Sequence, residues 1–108
     1  MAGRRRNRRA QATLSRPETE RDVMLARVRR MRRRGEQRRA MLTLRDAAFE
    51  AQDDASLWTL YASQCIRAGK PDRAHQALTQ ALWLRERNHD AARAAVTRRL
   101  LAGLLQAA

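Results

Sequence analysis

Arginine is the most abundant side chain in this sequence of 108 residues that could bind a ligand, and most of the arginines of the first 39 residues lie in two clusters. Lys and Arg together number 24 against 11 Asp and Glu, for a formal net charge of +13. The guanidinium group is a planar fork of donors that matches the oxygens of carboxylate and phosphate groups. The sequence therefore predicts that the chain binds anions. The head cluster consists of Arg4, Arg5, Arg6, Arg8 and Arg9, and the second cluster of Arg27, Arg29, Arg30, Arg32, Arg33, Arg34, Arg38 and Arg39.

The residues that would support catalysis or metal binding are few. His75 and His89 stand alone, with no second ligand three or four residues away, so both are expected to be surface histidines. Cys65 belongs to an apolar stripe and is expected to be a buried, unreactive thiol. The chain has no G-x-S-x-G sequence and no glycine-rich phosphate loop. We therefore expect a protein that is not an enzyme and that uses no cofactor and no metal.

The positive charge is concentrated in the first third of the chain. Residues 1–39 contain 15 Arg against four acids, a net charge of +11, whereas residues 40–108 contain nine basic and seven acidic residues, a net charge of +2. A general preference for Arg over Lys would act along the whole chain, so it does not explain this asymmetry. A solvated helix surface remains an alternative for the second cluster. The more specific interpretation of the head cluster is that it binds nucleic acid or another polyanion through salt-sensitive contacts with phosphate groups.

Residues 1–15 are predicted to form a basic disordered arm. They include Gly3, Asn7 and Ser15, almost no bulky apolar side chain and no hydrophobic period. No apolar stretch follows the arginines, as a secretory signal would require, and no apolar run approaches the roughly 18 to 20 residues of a membrane span. The sequence favours a cytoplasmic protein without a membrane span.

Three glycines recur at a constant interval. Gly35, Gly69 and Gly103 stand 34 residues apart, and a repeat of this length indicates stacked helical hairpins. Each glycine is expected at a hairpin corner, because Gly adopts the left-handed backbone conformation without steric cost. The predicted fold is all-α. It comprises repeat 1 at 21–54, repeat 2 at 55–88 and a capping helix at 89–106, all within one domain at 16–108.

Apolar residues recur at helical spacing within each unit, which predicts packed amphipathic helices. In repeat 2 the first helix carries Leu57, Trp58, Tyr61, Ala62, Cys65 and Ile66, and the second Ala74, Ala77, Leu78, Ala81 and Leu82. Asp54 is the predicted cap of the helix that begins at Ala55, and residues 15–18 fit a capping box that opens the first helix. The last helix is apolar on more than one side, so it is either deeply buried or docks onto another surface, such as a second copy of the chain. Its apolar residues are Leu100, Leu101, Leu104 and Leu105.

Three segments, 57–62, 68–74 and 81–84, resemble the tetratricopeptide repeat family. They follow the family pattern of a large aromatic residue (Trp58), a small residue, a glycine turn (Gly69) and two small residues on the second helix. The resemblance extends over about residues 21–103. It implies two antiparallel helix pairs and one capping helix in a right-handed superhelical stack. Glu86 stands where the family commonly has a closing Pro, so the helix is expected to run on towards Asn88.

The resemblance also implies a non-enzymatic adaptor that binds an acidic protein or peptide on a concave wall, formed by the first helix of each unit. Arg suits such a ligand because it makes two parallel hydrogen bonds to a carboxylate. The clamp that some family members use for a peptide carboxylate needs Lys and Asn at set positions over three units. This chain has neither those Asn residues nor a third unit, so that ligand is not expected. By position the wall comprises Asp22, Leu25, Arg29, Arg32, Arg33, Thr59, Ser63, Ile66, Arg67, Arg93 and Thr97. The alternative function is a nucleic-acid- or ribosome-associated protein that uses the head cluster.

Overall fold

The computed structural model describes residues 19–107, which form five α-helices and no strand. The helices are α1 (Glu20–Arg33), α2 (Gln37–Glu50), α3 (Ala55–Arg67), α4 (Pro71–Arg87) and α5 (Ala91–Ala107). The predicted all-α class is confirmed. None of these five helices has the length and apolar content needed to cross a membrane. The arm predicted at 1–15, with Arg4, Arg5, Arg6, Arg8 and Arg9, and the capping box predicted at 15–18 lie outside the described residues.

Consecutive helices pack against one another in chain order, from α1 to α5. Only three or four residues connect each pair, and connections this short make the neighbours antiparallel. Consequently α1, α3 and α5 run in one direction and α2 and α4 in the other. The connections at 34–36 and 68–70 lie together at one end of the molecule, which we call the turn end. The connections at 51–54 and 88–90 lie at the opposite end, which we call the loop end.

Side-chain caps fix where three of the helices begin; at α5, the Asp90 carboxylate accepts a hydrogen bond from the Arg93 backbone N–H at 3.2 Å. At α1, Thr19 Oγ1 accepts a hydrogen bond from the Asp22 backbone N–H at 3.1 Å, and the Asp22 carboxylate accepts one from the Thr19 N–H at 3.2 Å. At α3, Asp54 accepts a hydrogen bond from the Leu57 N–H at 3.1 Å, which confirms the predicted cap. Asp54 also forms an ion pair with Arg21 of α1. The start of α3 is therefore held by both its own cap and a neighbouring helix.

Two of the three repeating glycines form the corners predicted for them. Gly35 and Gly69 have φ angles of +76° and +74°, a backbone conformation that residues other than glycine rarely adopt. The corner predicted at Gly103 is wrong, because this residue lies inside α5. The third corner follows α4, which runs through Glu86 as predicted and ends at Arg87. His89 forms it with a φ of +57°, so the 34-residue interval does not mark the last corner.

Small residues allow α2, α3 and α4 to approach closely around the core. Ala40, Ala48, Ala62, Ala74, Ala77 and Ala81 are all buried. Trp58 of α3 lies at the edge of this core, with its indole N–H donating to the carbonyl of Gln52 at 2.9 Å. Its ring centroid lies 5.4 Å from that of Phe49 and 6.3 Å from that of Tyr61. Ile66, which the apolar stripe placed in the core, is half exposed.

The last helix packs on α4 through only part of its apolar surface. Ala94 is buried, and Leu101 and Leu104 are partly buried against the core. Leu100 and Leu105 are 46% and 68% exposed. An unpartnered apolar strip therefore remains along α5 among the described residues.

Candidate functional site: an arginine cluster and an adjoining groove

Three arginines of α1 and α3 meet on one surface, which we call the arginine cluster: Arg29, Arg32 and Arg67. Arg29 and Arg32 stand three residues apart on α1 and so share a face of that helix. Arg67 is the last residue of α3, and α3 runs parallel to α1. A hydrogen bond between the side chains of Arg32 and Gln64 of α3 joins the two helices near the C-terminal ends of both. The cluster therefore lies near the turn end of the molecule.

A buried amide fixes the position of Arg32. The Gln64 side chain is fully buried, and its Oε1 accepts a hydrogen bond from Arg32 Nε at 2.7 Å. Its Nε2 donates to both the backbone carbonyl and the side-chain Oε1 of Gln37, each at 2.8 Å. Gln64 thus ties α1, α2 and α3 together. Arg32 makes this bond through Nε, and no described hydrogen bond or ion pair uses its two terminal amino groups, which remain available to an external ligand.

The cluster is electrostatically uncompensated within residues 19–107. No described carboxylate forms an ion pair with Arg29, Arg32 or Arg67, whereas Arg39 pairs with Glu36 and Arg93 with Asp90. Burial, followed by the positive charges of Arg67 and Arg29, lowers the pKa of Arg32. Arg remains protonated near neutral pH even so. Three cations held close together without a counterion favour the binding of an anion.

An apolar groove of about 590 Å³ runs between α3 and α5, beside the arginine cluster. Its walls are largely aliphatic, and Arg99 is the charged side chain among them. Around α3, at 100° per residue, Arg67 lies between Gln64, which faces α1, and Ser63, which faces the groove. Arg67 therefore borders both features. The groove is lined by Thr59, Leu60, Ala62, Ser63, Ile66, Leu78, Arg99, Leu100, Gly103 and Leu104.

The structure divides the predicted wall into separate parts. Arg29, Arg32 and Arg67 come together, while Thr59 and Ser63 line the groove. Arg33 is exposed at the end of α1.

Two predicted wall residues of α5 lie elsewhere. Arg93 is in the first turn of α5, where it pairs with Asp90 at 3.2 Å, at the opposite end of the molecule from Arg67. Thr97 was expected on the wall but is 2% exposed, and its hydroxyl donates to the backbone carbonyl of Arg93.

Sequence reasoning singled out Leu100 and Leu104 on the α5 side of the groove but missed Gln64, Arg99 and the place of Gly103 in the groove wall. Gln64 stands in the same helical stripe as Leu57, Tyr61 and Cys65, so a polar side chain facing the core was the available signal. Arg99 and Gly103 gave no comparable signal, because their role depends on how α5 lies against α3.

A second cleft, of about 640 Å³, lies at the loop end. Arg85 is 8% exposed there; it donates to Thr59 Oγ1 at 3.4 Å and lies 3.7 Å from Asp90. Hydrogen bonding from the Arg93 backbone N–H, with the nearby Arg93 and Arg85 guanidinium groups, holds the pKa of Asp90 below its ordinary value. Among the charged residues of the lining, the four acids Glu50, Asp53, Asp54 and Asp90 outnumber the two arginines, Arg85 and Arg93. Among the described residues no group of His, Cys, Asp and Glu is arranged to hold a metal ion.

No protein-family model, curated protein or solved structure matches this chain. The arginine cluster and the groove are therefore the features of this molecule that bear on its function.

Proposed function

We propose that this protein is a non-enzymatic adaptor that binds an acidic segment of another protein on the surface formed by α1, α3 and α5. In this proposal the helix pairs form a stack like that of tetratricopeptide repeats, with α5 as the capping helix. The carboxylates of the partner contact Arg29, Arg32 and Arg67. The observation that carries the proposal is the buried Gln64, which orients Arg32 within a cluster of arginines that lacks carboxylates among the described residues.

The groove favours a protein partner over nucleic acid. Single-stranded nucleic acids bind by stacking their bases on aromatic rings, and the described lining of the groove contains none. The exposed ring of Trp83 belongs to α4, outside the groove, and the guanidinium carbon of Arg87 lies over one of its faces, 4.8 Å from the ring centroid. Aliphatic walls beside Arg67 are instead suited to burying the apolar side chains of a polypeptide.

The proposal is tested with a fluorescent Glu-rich peptide of about 12 residues. Its affinity is measured by anisotropy for the wild-type chain and for the triple variant Arg29→Gln, Arg32→Gln, Arg67→Gln. A matched control changes the exposed Arg30, Arg34 and Arg38 to Gln, which removes the same net charge outside the cluster. Because Arg–carboxylate contacts are charge-assisted, we expect the cluster variant to bind at least about tenfold more weakly and the control to stay within about threefold. Equal losses in both variants would contradict a specific site.

A second candidate function is polyanion binding, for which the turn end is the supporting observation. Its exposed cations greatly outnumber its acids, Glu36 and Asp72. The exposed cations of the turn end are Arg33, Arg34, Arg38, Arg39, Lys70 and Arg73. An RNA oligonucleotide of equal charge, titrated in parallel over a salt series, separates the two functions. Tighter binding of RNA than of the peptide, lost when Arg4, Arg5, Arg6, Arg8 and Arg9 are changed to Gln, would favour this second function.

A further inference from the structure

Gly103 leaves a gap in the wall of the groove that the described chain does not fill. The residue lies inside α5, and a Cβ added there would meet no heavy atom within 4 Å, apart from those of its two chain neighbours and of its own helix backbone. Glycine is less favourable than alanine within a helix. Neither a corner nor a close approach of another helix accounts for a glycine at this position. The gap therefore provides space at the groove surface for an atom from outside the described chain.

The side chains around this gap are aliphatic and accessible. Ile66 of α3 is 50% exposed and Leu100 of α5 is 46% exposed, and both line the groove with Leu60 and Leu104. Burying aliphatic surface of this kind against a partner is favourable. An occupant of the groove thus needs at least one aliphatic side chain.

The charges at the rim determine which occupant fits. Arg99 lines the groove, and Arg67 lies beside it next to Ile66. Residues 1–15, the predicted arm, carry Arg4, Arg5, Arg6, Arg8 and Arg9, and a second copy of the chain brings another net charge of +13. The five arginines of the first segment would be repelled by the rim, and the net positive charge of a second copy opposes its approach. An acidic segment is attracted to it and also reaches the arginine cluster.

We propose that the partner of this protein presents an acidic segment that carries aliphatic side chains, one of which seats over Gly103 between α3 and α5. Its carboxylates contact Arg99 and Arg67 at the rim. This inference rests on the proposed function, because the same segment continues to the arginine cluster. It adds a requirement that the proposed function does not contain, namely the aliphatic anchor.

The test begins with a display library of random peptides of about 12 residues selected on the immobilised full chain. We expect the recovered peptides to combine Asp or Glu with Leu, Ile or Val. The commonest one is synthesised, labelled and titrated by anisotropy against the wild type, Gly103→Leu and Ala102→Leu. Leu at position 103 fills the gap, whereas Ala102 is an exposed residue of the same helix outside the groove lining.

We expect Gly103→Leu to weaken binding about tenfold or more, as loss of one buried anchor does, and Ala102→Leu to change it less than about twofold. Circular dichroism and thermal melting show that both variants are folded. If Gly103→Leu loses helical signal, Gly103→Ala is titrated in its place, because it adds only one methyl group to the gap and favours the helix.

The outcomes separate this inference from the proposed function. Acidic peptides without aliphatic residues, or unchanged or tighter binding by Gly103→Leu, would overturn the inference and leave the proposed function standing. Recovery of no acidic peptide would overturn both. Two further results would overturn the inference by identifying another occupant. The arm is identified if peptides bind only when its five arginines are changed to Gln, and a second copy is identified if the full chain sediments as a dimer that Gly103→Leu dissociates.

Discussion

Gln64 is the residue on which the orientation of Arg32 in the arginine cluster depends. Its buried amide accepts from Arg32 Nε and donates to two oxygens of Gln37. Buried polar groups are favourable when all their partners are present and costly when one is removed. One side chain thus both stabilises the contact of three helices and fixes the position of Arg32.

Replacing Gln64 tests this double role. We expect Gln64→Leu to lower the free energy of unfolding by about 1–3 kcal/mol, because the Arg32 Nε and the Gln37 carbonyl lose their partner in a partly buried place. Urea denaturation measures the change. Gln76→Leu, at an exposed position of α4, is the control and should stay within about 0.5 kcal/mol. Similar values for both variants would show that the Gln64 network contributes little.

Cys65 is fully buried, and this determines how it titrates. Burial raises the pKa of its thiol, and the smaller effects of the Tyr61 hydroxyl and of Arg73 oppose the shift. Because the folded state favours the neutral thiol, the stabilising contribution is present below the unfolded pKa of about 8.5 and is lost as the pH rises through the folded value.

We therefore expect the thermal stability of the wild type to fall more than that of Cys65→Ala between about pH 8 and pH 10. A thiol reagent at neutral pH should react slowly with native Cys65 and rapidly in urea, since only unfolding exposes it. Rapid reaction of the native protein would contradict its burial.

Asp54 and Asp53 are adjacent acids with different structural roles. Asp54 caps α3 and pairs with Arg21, whereas Asp53 is exposed and lies 3.4 Å from Arg87. We expect Asp54→Ala to lower the free energy of unfolding by about 1 kcal/mol, because the N–H of Leu57 loses its acceptor. Asp53→Ala should change it by less than about 0.5 kcal/mol. Asp54→Asn, which keeps an oxygen acceptor for the cap, should recover most of the loss in the same denaturation assay.

At the scale of elements, identical glycines occupy two different environments. Gly35 and Gly69 follow α1 and α3 with positive φ, whereas Gly103 is inside α5. A residue with a Cβ is strained at positive φ, but it improves the propensity of a helix interior. The same substitution is therefore predicted to have opposite effects at these positions.

We expect Gly35→Ala and Gly69→Ala each to lower the free energy of unfolding by about 1 kcal/mol, and Gly103→Ala to raise it by up to about 1 kcal/mol. Chemical denaturation of the three variants measures whether the free energy of unfolding falls or rises in each. His89→Gly provides an independent check, because glycine removes the strain of a φ of +57° and should leave stability unchanged or higher. A loss of stability in Gly103→Ala would show that its Cβ meets an obstacle.

At the scale of the whole molecule, charge is segregated along the helix axes. The turn end collects exposed cations of α1, α2, α3 and α4, and the loop end collects acidic residues. This arrangement follows from the antiparallel path of the chain, which brings residues 29–39 beside residues 67–73 and residues 50–54 beside residues 86–90. The basic surface is thus assembled from segments far apart in sequence.

Repulsion at the turn end should make the stability sensitive to salt. We expect the melting temperature to rise by a few degrees between about 20 mM and about 200 mM NaCl, because the Debye length shortens from over 20 Å to under 8 Å. The triple variant Arg29→Gln, Arg32→Gln, Arg67→Gln should show a smaller rise. A melting temperature that falls with salt in the wild type would indicate that attractive pairs outweigh the repulsion.

Much of the helical fold is predictable because its signals are local. The apolar stripe from Trp58 to Cys65 requires only helical spacing, and the cap at Asp54 requires only an acceptor three residues before a free N–H. The corners at Gly35 and Gly69 follow from the backbone freedom of glycine. The presence of Arg29, Arg32 and Arg67 in one site also follows once α1 and α3 are taken as parallel.

Only the tertiary structure decided the rest of the site. Gly103 has the interval of a corner, but α5 continues through it because His89 already supplies the reversal after α4. Gln64 becomes an organising residue only where α1 and α2 bring Arg32 and Gln37 to it. The groove exists because α3 and α5 pack against the same helix, α4, with a gap between them. Local sequence determines which residues favour helix, cap or turn, whereas the meeting of side chains from distant segments depends on how whole helices pack.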